Sequence, residues 1–120
     1  MTADRALEEL LDVSEDIGAA VLFDRDGEIL AASLGDETAR TIAGVAGAML
    51  SYAEALRSEA GVARLEALTD EGGVFVLREG DRAAVAVTGT DPVAGLVSHD
   101  LRACLRNCAR PTREKARATS

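Results

Sequence analysis

The sequence predicts a small α+β fold: a five-stranded antiparallel sheet with one long helix on one face and two terminal helices on the other, in the order α-β-β-α-β-β-β-α. Three observations carry this. An apolar run, a tight turn and a second apolar run occupy residues 18–33, with Asp26-Gly27 at the turn, the chemistry that two- or three-residue hairpin turns demand. A long stretch with apolar residues at helical spacing starts at Asp36,. Three further strand-like runs follow, and their connectors are too short for a crossover, which excludes parallel pairing among them.

In chain order, Thr2 caps a first helix with Asp4, Glu8 and Glu9 in its early turns,. Ala6, Leu7, Leu10 and Leu11 form its apolar stripe, which ends near Val13. The hairpin strands fall at about 18–24 and 28–33. Gly35-Asp36 opens the long helix, expected to reach Ala60 with Gly61 as the stop,. Strands are expected at 62–68, 73–78 and 83–88, separated by Asp70-Glu71-Gly72 and Glu79-Gly80-Asp81, both rich in turn formers. Asp91-Pro92 is expected to open the last helix, where the missing N–H of proline costs little. That helix carries Val93, Leu96, Val97, Leu101, Cys104, Leu105 and Cys108 on one side. Pro111 is expected to end it. The division is therefore a domain at 1–109 and a basic, disordered tail at 110–120.

A chain of 120 residues holds one domain,. With no Trp, one Tyr and two Phe, its core must be aliphatic, and it has no stacking platform for single-stranded nucleic acid. The net charge of -8 also argues against phosphate backbones as partners,. That charge is uneven. Residues 1–101 carry 7 basic and 20 acidic groups, whereas residues 102–120 carry 6 basic and one acidic. No secretory pattern opens the chain, and no apolar run nears the roughly 20 residues of a membrane span. Two Cys make no disulfide framework,, so a reducing cytoplasm is the expected setting.

Most site chemistry is excluded cheaply. A P-loop needs Gly-x-x-x-x-Gly-Lys-Ser/Thr, and the single Lys is Lys115, near the end. His99 is the single histidine, and no Gly-x-Ser-x-Gly turn presents a nucleophile,. Cys104 and Cys108 share a helix face and read as small apolar packing residues. With His99 they offer three metal ligands where a structural zinc takes four. Asp24/Asp26 and Asp70/Glu71 sit at turns, where turn chemistry accounts for them. No catalytic residue, metal or cofactor is expected, and no enzyme.

The long helix holds the positive evidence. Ile42, Val45, Met49, Ala53 and Leu56 form one stripe, and Ala39, Ala43, Ala46, Leu50 and Ala60 widen it beyond the arc that covering a sheet requires,. Polar residues keep to a narrow line of Glu37, Arg40, Ser51, Glu54 and Ser58. Gly44, Gly47 and Ala48 sit mid-helix, where each Gly costs up to about 1 kcal/mol relative to Ala. Either these small residues fit against the chain's own sheet, or part of this face packs on another protomer.

The hairpin from Ala19 to Ala31, the Ala/Gly-rich helix from Ile42 to Leu50, the strands around Gly73–Leu77 and Ala83–Val87, and the helix after them resemble the Roadblock/LC7 family over roughly residues 4–107. Profilin-like and longin folds share much of this plan. The resemblance implies a small non-enzymatic homodimer in which the long helix and an edge strand pair across a two-fold axis, joining two sheets. The interface then takes in Ile42, Gly44, Val45, Gly47, Ala48, Met49 and Tyr52, with Val62, Arg64 and Glu66 from the strand. Members commonly bind and regulate Ras-like small GTPases or serve as adaptors, and prokaryotic members are often found with a partner GTPase. The family has no fixed catalytic residues. Arg25 and Arg40 are exposed candidates for partner contact, though neither sits in a family motif. The expected function is a dimeric module that regulates a Ras-like GTPase; the alternatives are a profilin-like small-molecule sensor and a purely structural dimeric scaffold. The basic tail lies outside the resemblance, as a solubility aid or an electrostatic tether to an acidic partner or anionic lipid.

Overall fold

The computed structural model describes residues 2–56 and 64–119, with side chains through Cys108. Its elements are α1 (Ala3–Val13), β1 (Ile17–Asp24), β2 (Ile29–Ala32), α2 (Asp36–Leu56), β3 (Arg64–Thr69), β4 (Gly72–Glu79), β5 (Arg82–Thr88) and α3 (Ala94–Thr119). The five strands form one antiparallel sheet in the order β2-β1-β5-β4-β3. The order and architecture are those the sequence predicts.

Local chemistry explains each boundary. The Thr2 hydroxyl accepts from the Arg5 N–H at 3.2 Å and starts α1,. The β1–β2 turn takes the three-residue form: Gly27 N–H donates to the Asp24 carbonyl at 3.0 Å, and Gly27 alone in this turn has positive φ, at 86°,. The Asp24 carboxylate accepts from the backbone N–H groups of Asp26 and Glu28 at 2.9 and 3.0 Å, so its role is turn chemistry. In the β3–β4 turn the Thr69 hydroxyl accepts from the Glu71 N–H and donates to the Gly72 carbonyl.

Several boundaries differ from expectation. The expected end of the long helix at Ala60, its stop Gly61 and the strand residue Val62 lie outside the described residues. Asp91-Pro92 precedes α3 instead of opening it. Asp91 has a positive φ of 53°, a left-handed conformation that Asp tolerates better than most residues. The helix entry is held from afar, by the Asp16 carboxylate accepting from the Val93 N–H at 2.9 Å. At its other end α3 runs through Pro111 to Thr119, where the sequence reading ended it at Pro111. The missing N–H removes one backbone bond, and the following Arg113, Glu114, Lys115, Ala116, Arg117 and Ala118 are good helix formers,.

Two apolar layers result. On one face α1 and α3 pack over Leu22, Phe75, Leu77, Ala84 and Ala86. On the other α2 packs by Ala39, Ala43, Ala46 and Leu50 over Val21, Phe23, Ala83 and Val85.

Candidate functional site

Side chains alternate across the strands, so the registers define what α2 must cover. Val21, Val85, Val76 and Leu65 form one row across β1, β5, β4 and β3, and Ala19, Val87, Val74 and Ala67 form the next. A single helix does not span both rows. The part left open is a groove of about 230 Å³ between Ile42, Val45 and Met49 of α2 and Val74, Val76 and Val87 of the sheet. It continues outward on α2 through Tyr52 and Leu56, which are 70% and 74% exposed. Edge strand β3 borders it, with Leu65 half-buried and the other five residues exposed.

The stripe Ile42, Val45, Met49, Ala53 and Leu56 is thus the flank that the sheet leaves largely uncovered, and the alanines with Leu50 are the face the sheet claims. The structure divides the predicted interface. Ile42, Val45 and Met49 line the groove, while Gly44, Gly47 and Ala48 lie on the opposite flank of α2, over Phe23 and the hairpin residues Asp24–Gly27. A Cβ on Gly44 would meet nothing within 4 Å, and one on Gly47 would meet only Phe23 Cε2 at 3.7 Å, ordinary contact. The fit of this chain against itself therefore does not require either glycine.

Arg64 and Glu66 form an ion pair at 3.1 Å along β3, in the rows of Leu77 and Phe75, and so fall on the α1/α3 face. The groove side of β3 belongs to Leu65 and Ala67. Arg25 bridges to Asp81 at 3.5 Å, tying the β1–β2 turn to the β4–β5 turn, and Arg40 is exposed on α2. The sequence reading missed Leu65, Val74 and Val87. Their signal was the run Val74-Phe75-Val76-Leu77 and the run Ala83–Val87, apolar at consecutive positions and hence demanding cover on both faces.

Beside the glycine flank the Arg78 guanidinium places one nitrogen, Nη1, 2.9 and 3.1 Å from the two Glu54 oxygens. This pair fastens the far end of α2 to β4, and only a tenth of the Arg78 side chain is exposed.

The residues weighed for chemistry are placed apart. Cys104 and Cys108 are buried in the α1/α3 layer, and Cys104 Sγ donates to the Ala6 carbonyl at 3.4 Å. Burial, with smaller pushes from Cys108 and Glu9, raises the Cys104 thiol to about 12. Burial also raises Cys108, against a lowering pull from Arg82. His99 is exposed on α3 beside Asp100, 3.3 Å away. Among the described residues no helix is long and apolar enough to cross a membrane.

No protein-family model matches the chain, and no curated protein matches it. Solved structures do. A Roadblock/LC7 domain from Streptomyces avermitilis superposes with a TM-score of 0.81 at 18% identity, covering 95% of this chain and 99% of that one. The gliding protein MglB from Thermus thermophilus gives 0.70 at 26% identity, over 93% and 89%. Profilin II from Acanthamoeba castellanii gives 0.65 at 15% identity, over 86% and 93%, the related plan that the sequence suggests. Element order, sheet order and helix placement agree with these likenesses, and the chain has the Roadblock/LC7 fold.

Proposed function

We propose that this chain is a non-catalytic interaction module, in which two copies join through α2 and edge strand β3 and the pair binds a Ras-like small GTPase. The observation that carries the dimer is α2 itself: an apolar flank left open beside a valine-lined groove, and on the other flank a Gly44 where an added Cβ would meet nothing within 4 Å among the described residues. A symmetric partner laid on this face buries the flank, and a helix crossing at short distance gives the small residues a use. Self-association also appears among the similar structures, one of which is described as MglB with a tetrameric arrangement (24% identity, TM-score 0.70). The GTPase partner rests on the Roadblock/LC7 resemblance.

Sedimentation at tens of micromolar tests the dimer, which Ala48→Arg or Val45→Arg should convert to monomer or insoluble protein by forcing a charge into a desolvated contact. A monomeric unsubstituted protein would end the proposal. The partner is tested by mixing the dimer with a small GTPase encoded nearby, in its GDP and GTP states. Binding in neither state points to a structural scaffold, and metal-dependent GTP turnover by the purified protein alone contradicts a non-catalytic role.

A further inference from the structure

Gly44, Ala48 and Tyr52 follow one another by steps of four along α2 and share an arc of about 80°. All three are exposed, on the side of the helix opposite the buried Ala39, Ala43, Ala46 and Leu50. Tyr52 is 70% exposed, and it is the single tyrosine of a chain with no tryptophan.

Beside Gly44 the flank of α2 opens into a pocket of about 210 Å³. Gly44, Gly47 and Ala48 give it an apolar wall over Phe23, and Asp26 and Arg78 give it a polar one. A Cβ on Gly44 would meet nothing within 4 Å among the described residues, so the wall there is bare backbone. Arg78 is nine-tenths buried, its Nη1 holds both Glu54 oxygens, and its Nε is buried with no partner among the described residues. The guanidinium thus keeps donor capacity beyond its bond to Glu54.

We propose that Tyr52 of each copy seats in this pocket of the other, in a symmetric dimer whose two-fold axis crosses α2 at Ala48; this rests on the dimer proposed above and adds its register. An isologous contact pairs positions equally spaced on either side of its axis. Tyr52 and Gly44 each lie four residues, about 6 Å, from Ala48, so the ridge that carries the knob also carries the hole, and one crossing fills both holes. Small residues at 44 and 48 bring the two axes to about 8 Å, the short end of helix packing. Val45 and Met49 lie three residues before Ala48 and Tyr52, one ridge over, so the same crossing covers the apolar flank. A cavity of about 150 Å³ holds a benzene ring, and this larger pocket admits a phenol. The ring meets Phe23 and the apolar wall, and the hydroxyl, which both donates and accepts, meets Asp26 and Arg78. A leucine or phenylalanine would leave the polar wall unanswered. A different protein would have to bring both a knob for the pocket and a cover for Tyr52 at this spacing, whereas a second copy carries both.

With one tyrosine and no tryptophan, the tyrosine emission of the full chain reports Tyr52 alone. Acrylamide quenching of that emission tests the contact, across a dilution series that takes the dimer to monomer in sedimentation. Quenching should be about threefold or more weaker in the dimer than in the monomer. Tyr52→Ala should weaken the dimer about thirtyfold or more, and Tyr52→Phe about threefold to tenfold, the worth of its hydroxyl. Gly44→Leu, whose Cβ the protomer has room for, should weaken it as Tyr52→Ala does. Mixing the Tyr52→Ala and Gly44→Leu chains should give a heterodimer tighter than either homodimer, because one intact Tyr52 then faces one intact Gly44. A dimer whose Tyr52 is quenched as in the monomer, or one that Tyr52→Ala leaves unchanged, overturns this contact and leaves the dimer standing. A mixture no tighter than its components overturns the register. A chain that is monomeric at tens of micromolar removes the dimer and this contact together. Protection of Tyr52 that arises only on adding a small GTPase assigns the pocket to that partner and overturns it too.

Discussion

On one face of the sheet two helices, α1 and α3, cover Leu22, Phe75, Leu77 and Ala84, and none of the four is more than 1% exposed; on the other face α2 works alone and leaves Val74 and Val87 each 37% exposed. Both faces present an apolar centre, and the difference lies in the number of helices supplied. The closed layer is finished within the chain. The open layer stops one helix short, and in the proposed dimer a second copy of α2 completes it. Stability should therefore depend on the closed face and assembly on the open one.

The comparison breaks first, and with the largest effect, at Leu101. Leu101→Ala in the closed layer should cost about 3 kcal/mol by urea denaturation, whereas Val45→Ala on the open flank should cost the monomer under about 0.5 kcal/mol. Equal costs would mean that the open flank is covered within the chain. Next comes the seam between α2 and β4. Glu54→Ala leaves the Arg78 guanidinium nine-tenths buried and without its carboxylate partner, and its Nε is already buried with no partner among the described residues. A loss of about 2 kcal/mol in the same assay is expected, below the range for fully buried pairs because Glu54 remains a quarter exposed,.

Alkali probes the closed layer through Cys104. Its folded thiol holds its proton to about 12, against an ordinary value of 9.0. Above pH 9 the unfolded chain therefore gives up a proton that the folded chain keeps, and stability falls as pH rises. One such group lowers it by about 1.4 kcal/mol per pH unit between pH 9 and 12. Urea midpoints across that range should decline less steeply in Cys104→Ala, and native protein should resist thiol alkylation at neutral pH. The smallest effect is a gain. Gly44→Ala meets open space within the chain, so it should stabilise the protomer by up to about 1 kcal/mol while weakening the dimer by sedimentation. A tighter dimer would show that Gly44 is not the point of close approach.

Much of this was legible in the chain because local rules decide it. The Asp26-Gly27 turn, the Thr2 cap and the short connectors specify the element order, and strands that cannot cross over must form a meander. The width of the apolar arc on α2 was legible as well, but its partition was not. Periodicity reports that Ile42, Val45, Ala43 and Ala46 are apolar; it does not report which of them the sheet takes, since that depends on the angle at which α2 crosses β1 and β5. Contacts between distant positions were hidden for the same reason. Nothing near Glu54 announces Arg78, and nothing near Val93 announces Asp16, 77 residues earlier. The passage of α3 through Pro111 was missed because a single strong breaker was weighed above the helix formers after it.

The pairing of β1 with β5 has a consequence for how the chain is made. β1 lies inside the sheet, yet its second neighbour is the last strand in sequence, with Ile17 opposite Thr88. During synthesis α1, the hairpin and α2 leave the ribosome first, and at about 5–20 residues per second β1 presents an unpaired, apolar edge for several seconds before β5 arrives. A nascent chain stalled before Arg82 should be the species that chaperones hold and proteases cut, and release past Thr88 should end both within one folding event.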